Sequence, residues 1–119
     1  MSTNEADTAP TMRQRWWRQR GERIEQVIGA IYEAFGDDDC GTPNNMATIV
    51  AAVLLGGGDF EKVITFCVMG GFDSDSTAAT AGSIAGAMLG ASRLPEKWTR
   101  PLRDTFYGQV IGYHPIAVS

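Results

Sequence analysis

Histidine is nearly absent from this chain and cysteine is scarce: His114 stands alone, and Cys40 and Cys67 are the two thiols in 119 residues. Their spacing suits neither a zinc site nor the disulfide framework of a small secreted domain, so both thiols are expected to be reduced. Long apolar runs are missing as well. No stretch reaches the roughly 18 residues that a membrane span requires, and the opening MSTNEADTAPTM has no apolar signal-peptide core. A cytoplasmic protein with no membrane partner is the expectation. There is no internal repeat, no low-complexity tract and little of the alternation that marks strands, which leaves an all-α domain. Net charge is distributed unevenly along the chain. Residues 1–23 hold five Arg against Glu5, Asp7 and Glu22, for +2, and the whole chain carries −4, so the rest carries −6. An acidic remainder argues against broad nucleic-acid binding and is compatible with carboxylates gathered for a cation.

What is present is 44% hydrophobic residues, enough for one domain that buries roughly two-thirds of its unfolded surface. Residues 1–12 read as a disordered leader, because Ser, Thr, Asn, Asp and Pro offer little to bury. Residues 13–119 read as a single helical domain. From Arg13 to Phe35, Trp17, Ile24, Val27, Ile28, Ile31 and Phe35 recur at the three- and four-residue spacing of an amphipathic helix. The turn formers GDDDCGTPNN follow, and Asn44 or Asn45 is expected to cap a helix through about Leu55. Gly56 to Gly58 break it. Asp59 can cap the next helix, which carries Phe60, Val63, Ile64, Cys67 and Val68 and ends at Gly70 and Gly71.

A turn through Phe72 to Ser74 then enters a helix to about Gly90 that is rich in Ala and Gly, so that a neighbouring helix can approach its backbone closely. Pro95 opens a short turn with Trp98, which reads as a packing anchor. Pro101 suits the first turn of a last helix to about Val110, and the tail GYHPIAVS reads as irregular. Met46, Met69 and Met88 read as core, Cys67 as buried and inert, and His114 as a surface residue.

The chemistry-bearing residues lie at that turn. Asp73 and Asp75 would fall on different faces of a helix, but where a turn enters a helix both carboxylates can converge, with the Ser76 hydroxyl next in line. Oxygen donors of this kind suit Mg²⁺, Mn²⁺ or Ca²⁺. Residue types alone leave a second reading open, in which Asp75 or Ser74 caps the helix and Asp73 is solvated.

The stretch Gly71-Phe72-Asp73-Ser74-Asp75-Ser76, followed by its Ala/Gly-rich helix, resembles the Gly-x-Asp-[Ser/Thr]-Asp-[Ser/Thr] metal turn of the ADP-ribosylglycohydrolases. PNNMATIVAAVLLGGGDFEKVITFCVMGG upstream and LPEKWTRPLRD downstream are similar to the segments that flank it in that family, so the resemblance covers residues 24 to about 113. It implies that Asp73, Asp75 and Ser76 are ligands of Mg²⁺ or Mn²⁺, aimed by Gly70 and Gly71. It also implies a reaction, the hydrolytic removal of ADP-ribose from a modified residue or small molecule. The family's N-terminal Ser/Thr-Asp-Asp ligand motif and early Gly-Asp-x-x-Gly segment have no counterpart here. The chain therefore reads as the C-terminal portion of the family's fold, a truncated domain with half a metal site and no assignable catalytic residue. It is expected to be inactive alone. An ADP-ribosylated substrate would be met only after completion by an N-terminal partner chain or a second copy of this one. Asp37, Asp38 and Asp39 match the family's loop before the Pro-Asn-Asn helix and read as a solvated acidic loop.

Two other readings compete. A non-catalytic remnant or split-half interaction module would keep the scaffold and bind a partner. RQRWWRQR at 13–20 fits that reading, although a helix start with Trp17 in the core and solvated Arg residues also accounts for it. Asp73-Ser74-Asp75-Ser76-Thr77 also fits the Asp-x-Asp-x-Thr pattern of haloacid-dehalogenase-type phosphatases, which needs a buried strand running into the first Asp. An EF-hand loop begun at Asp73 fails, because its sixth position is Ala78 and its twelfth Ile84.

Overall fold

The computed structural model describes residues 12–112 and 115–117, with side chains from Arg23 onward. The leader before Met12, His114 and the side chains of the Arg/Trp segment 13–20 lie outside the described residues. Five α-helices follow in order: α1 Met12–Phe35, α2 Thr42–Gly56, α3 Phe60–Gly70, α4 Ser74–Leu89 and the single turn α5 Glu96–Thr99. Two short 3₁₀ turns, Ala91–Arg93 and Arg100–Leu102, bracket α5. A two-residue antiparallel ribbon joins β1 (Thr105–Phe106) to β2 (Ile116–Ala117). The all-α expectation holds.

Helices α2, α3 and α4 each pack on the other two, and α1 lies against α2. Small residues make this closeness possible. Ala52, Cys67 and Ala81 are fully buried where the helices cross, beside Ile49, Val63, Phe66 and Ala85. A Cβ added at Gly82 would lie 2.8 Å from Ile64 Cδ1, so glycine there lets α3 and α4 approach. Ile24, Val27 and Ile28 of α1 pack against this core, and Ile31 is buried.

The ends of α3 follow local chemistry. The Asp59 carboxylate accepts the Lys62 backbone N–H at 3.2 Å as an N-cap, and Gly71 closes the helix in the left-handed region at φ 75°. Three expectations are corrected. Neither Asn44 nor Asn45 caps α2, which begins earlier, at Thr42, with Gly41 in the cap position and Pro43 in the first turn. The first-turn N–H groups have no helical partner in any case, so Pro43 is tolerated there.

Met46, Met69 and Met88 are not core but 52, 51 and 64% exposed, and Phe35 is likewise half exposed. α2 is apolar on all sides, so its sequence does not single out the inward face. Thr48, Ile49, Ala52 and Gly56 turn inward, while Met46, Val50 and Leu54 form an outward stripe. The last helix is also absent. After Pro101 the backbone turns left-handed at Arg103 (φ 49°) and Asp104 (φ 54°), which ends any helix, and part of the tail pairs as β2.

Candidate metal-binding turn

Asp73 sits between two helices, two residues past Gly71, the glycine that closes α3, and one before α4 begins. Several contacts hold its backbone. Gly70 packs against Thr48, where an added Cβ would approach Thr48 Cγ2 to 3.1 Å. Phe72 is buried and stacks on the Tyr32 ring at 4.3 Å with 24° between planes, and Tyr32 Oη donates to the Gly70 carbonyl at 3.4 Å. The Asp73 N–H donates to the Asp39 carbonyl at 3.1 Å, and the Asp73 carbonyl accepts the Thr77 N–H at 2.9 Å as α4 begins.

A hydrogen bond with the Asp73 side chain holds the Asp75 carboxyl below the ordinary carboxylate range, and the backbone N–H groups of Asp75 and Ser76 add to the effect. Asp75 occupies the first turn of α4, where exposed N–H groups and the helix dipole favour an anion. Asp73 stands in the cap position of α4 without its side chain capping the helix. Asp75 and Ser76 are exposed and Asp73 is partly buried, so the donor set is open to solvent. Among the described residues, no group of three or more His, Cys, Asp and Glu side chains is gathered closely enough to hold a metal ion. Any ion at this turn would therefore rest on the carboxylate pair, the Ser76 hydroxyl and water.

The chain enters Asp73 from helix α3, not from the strand that the phosphatase reading requires. The Asp37–Asp39 loop is exposed, as expected, but it does more than carry charge. The Asp39 carbonyl takes the Asp73 N–H, and the loop is tied in turn to α2. Asn44 Nδ2 donates to the Asp38 carbonyl at 2.6 Å, and Asn45 Nδ2 donates to the carbonyls of Asp39 and Gly41, each at 2.8 Å. Tyr32, Asn44 and Asn45 were not legible as parts of the site. For Tyr32 the available signal was its place four residues after Ile28, on the inward side of α1. For the asparagines it was amide side chains following a loop full of unpaired carbonyls.

Behind the turn, the Cys67 thiol is pushed up to about 11 by burial, against a smaller opposing effect of a hydrogen bond with Thr77. It is buried, as expected, and a thiol held in the protonated form is a poor nucleophile. No described helix is long and apolar enough to cross a membrane.

The family model for ADP-ribosylglycohydrolase matches residues 3–114, further upstream than the motifs alone reach. Neither a curated protein nor a solved structure matches the chain.

Proposed function

Because the chain belongs to the ADP-ribosylglycohydrolase family, we propose that its Asp73–Ser76 turn is part of a Mg²⁺ or Mn²⁺ site that receives the ribose hydroxyls of an ADP-ribosyl group. The observation that carries this reading is that Asp73, in the cap position of α4, makes no side-chain cap, while the Asp75 carboxyl in the first turn is lowered by a hydrogen bond with the Asp73 side chain and by the backbone N–H groups of Asp75 and Ser76. Asp73 and Asp75 would supply charge and Ser76 a neutral oxygen, a donor set suited to a hard cation that keeps much of its water. Once bound, such an ion acts as a template and Lewis acid in glycosidic hydrolysis.

The chain's own part is to hold these oxygens in place. Gly71 permits the reversal, Phe72 under Tyr32 fixes its plane, and the first turn of α4 keeps Asp75 ionised. The remaining ligands and the acid-base group would have to come from a segment bearing the Ser/Thr-Asp-Asp motif, which these residues do not contain. Titration of Mn²⁺ into the protein by calorimetry tests the site. The parent should bind and the Asp73→Ala, Asp75→Ala double variant should lose most of the heat, whereas equal heats would remove the site.

A second reading, a partner-binding module without turnover, is favoured by the outward apolar stripe Met46, Val50 and Leu54, between 52 and 74% exposed. Release of ADP-ribose from modified arginine or serine peptides, assayed with this chain alone, separates the two. Turnover by the lone chain would set aside the module reading and the need for completion together.

A further inference from the structure

Asn45 lies in the first turn of α2, and its side chain does not cap that helix. Its Nδ2 instead faces three acceptors, the carbonyls of Asp39 and Gly41 at 2.8 Å and Asn44 Oδ1 at 3.3 Å. Three acceptors around one nitrogen fix the orientation of the amide, because the flipped group would set oxygen against oxygen. The Asn45 Oδ1 atom is buried and has no hydrogen-bond partner. A buried acceptor left unpaired costs stability, so this side chain is poorly explained as a device for stabilising α2.

Its placement accounts for it better. The Asp39 carbonyl that accepts from Asn45 also accepts the Asp73 N–H at 3.1 Å. One peptide oxygen thus joins the start of α2 to the residue that opens the metal-binding turn. Asp73 stands where a carboxylate ordinarily swings back to accept the N–H groups of its own helix, yet its backbone holds φ −66° and ψ 70° and its side chain makes no such cap.

Resting on the metal reading above, we infer that Asn45 is a positioning residue for the site. It anchors the Asp39 carbonyl, that carbonyl holds the Asp73 backbone, and the Asp73 carboxylate is thereby kept beside Asp75 and away from the end of α4. Removing the amide frees the loop and lets Asp73 relax into a cap.

The test uses the full chain with Asn45→Ala and two readouts. Amide hydrogen exchange by NMR should show the Asp73 N–H exchanging at least about tenfold faster, with the amides of α3 unchanged. Mn²⁺ titration should show affinity weakened roughly 10- to 100-fold, the usual effect of removing a group that orients a ligand. The melting temperature should move by no more than about 5 °C, since the variant also deletes the unpaired oxygen. Should Asn45→Ala not fold, Asn45→Asp keeps the volume and removes the donor. Unchanged Asp73 exchange would overturn the inference whatever Mn²⁺ does. So would faster exchange with unaltered Mn²⁺ affinity. A parent protein that takes up no Mn²⁺ would sink the metal reading and the ligand-aiming role with it, while the Asp73 amide would still report whether the clamp exists.

Discussion

The three central helices and the segment that follows them are held by different means. From Thr42 to Leu89 the chain closes on itself around Ile49, Ala52, Val63, Phe66, Cys67, Ala81 and Ala85. After Gly90 none of the described residues is buried. That segment meets the bundle through the edge of Trp98 against Phe60, 5.9 Å between ring centres, and through an ion pair of Lys97 with Glu61 at 2.5 Å. Both partners of that pair are about half exposed, and such pairs contribute on the order of 0–1 kcal/mol. The difference separates a cooperative unit, in which every helix needs its neighbours, from a strap that can open locally. The turn around Asp73 belongs to the first kind, since Phe72, Gly70 and the Asp73 N–H are each fixed by a different part of the bundle.

The strongest blow to the comparison is Phe66→Ala. Phe66 is 2% exposed at the centre of the bundle, and truncating a buried Phe costs about 3–5 kcal/mol. Urea unfolding followed by circular dichroism should show the whole helical signal moving to lower denaturant in one step. A loss under about 1 kcal/mol, or helices melting separately, would mean that the bundle is not the unit described.

Asp59→Ala should act at the helix entrance with a smaller effect, about 1 kcal/mol for a lost N-cap. Its pH dependence sharpens the point. Burial pushes the Asp59 carboxyl up, but hydrogen bonds from the Lys62 side chain and backbone, the Lys62 charge and the Glu61 N–H together outweigh it and hold the group below its ordinary value. A folded-state value below the unfolded one contributes stability that is present above the unfolded value, near 3.9, and is lost as pH falls through the lower folded value. The gap between parent and variant in thermal melts should therefore be flat around neutral pH and narrow below about pH 4. A gap that widens in acid would contradict this assignment.

The same contrast explains what could be read from residues alone. The helices were legible where a periodic apolar face met a strong stop: Ile24 to Ile31 on α1, Asp59 before α3, Gly70 and Gly71 after it, and the Ala/Gly run of α4. The turn was legible because its residues are contiguous. Three things were not. The inward face of α2 was hidden because its residues are apolar all round. The fate of the chain after Pro101 was hidden because the left-handed backbone at Arg103 and Asp104 leaves no mark in residue type. The partners of Asp73 were hidden because a carbonyl, that of Asp39, does the holding, and backbone groups carry no sequence signal. Asn44 and Asn45 invited a capping account by composition, whereas a loop carbonyl offers their amides an acceptor at better distance.

The smallest expected effect is also the most discriminating for the strap. Trp98 is 38% exposed, stands edge-on to Phe60 and has the Lys97 ammonium 5.8 Å from its ring centre. An aromatic pair of this geometry contributes about 0.5–1.5 kcal/mol beyond area burial, and partial exposure places Trp98→Ala toward the lower end. Because none of the described residues after Gly90 is buried, that loss should appear as local opening and not as a shift of global unfolding. Hydrogen exchange should quicken at the backbone N–H of Trp98, which donates to the Pro95 carbonyl at 2.9 Å, while the amides of α3 and α4 keep their protection. If Trp98→Ala instead lowered the melting of α2–α4 as much as Phe66→Ala does, the strap would be part of the cooperative core. The site turn would then depend on residues on both sides of Gly90.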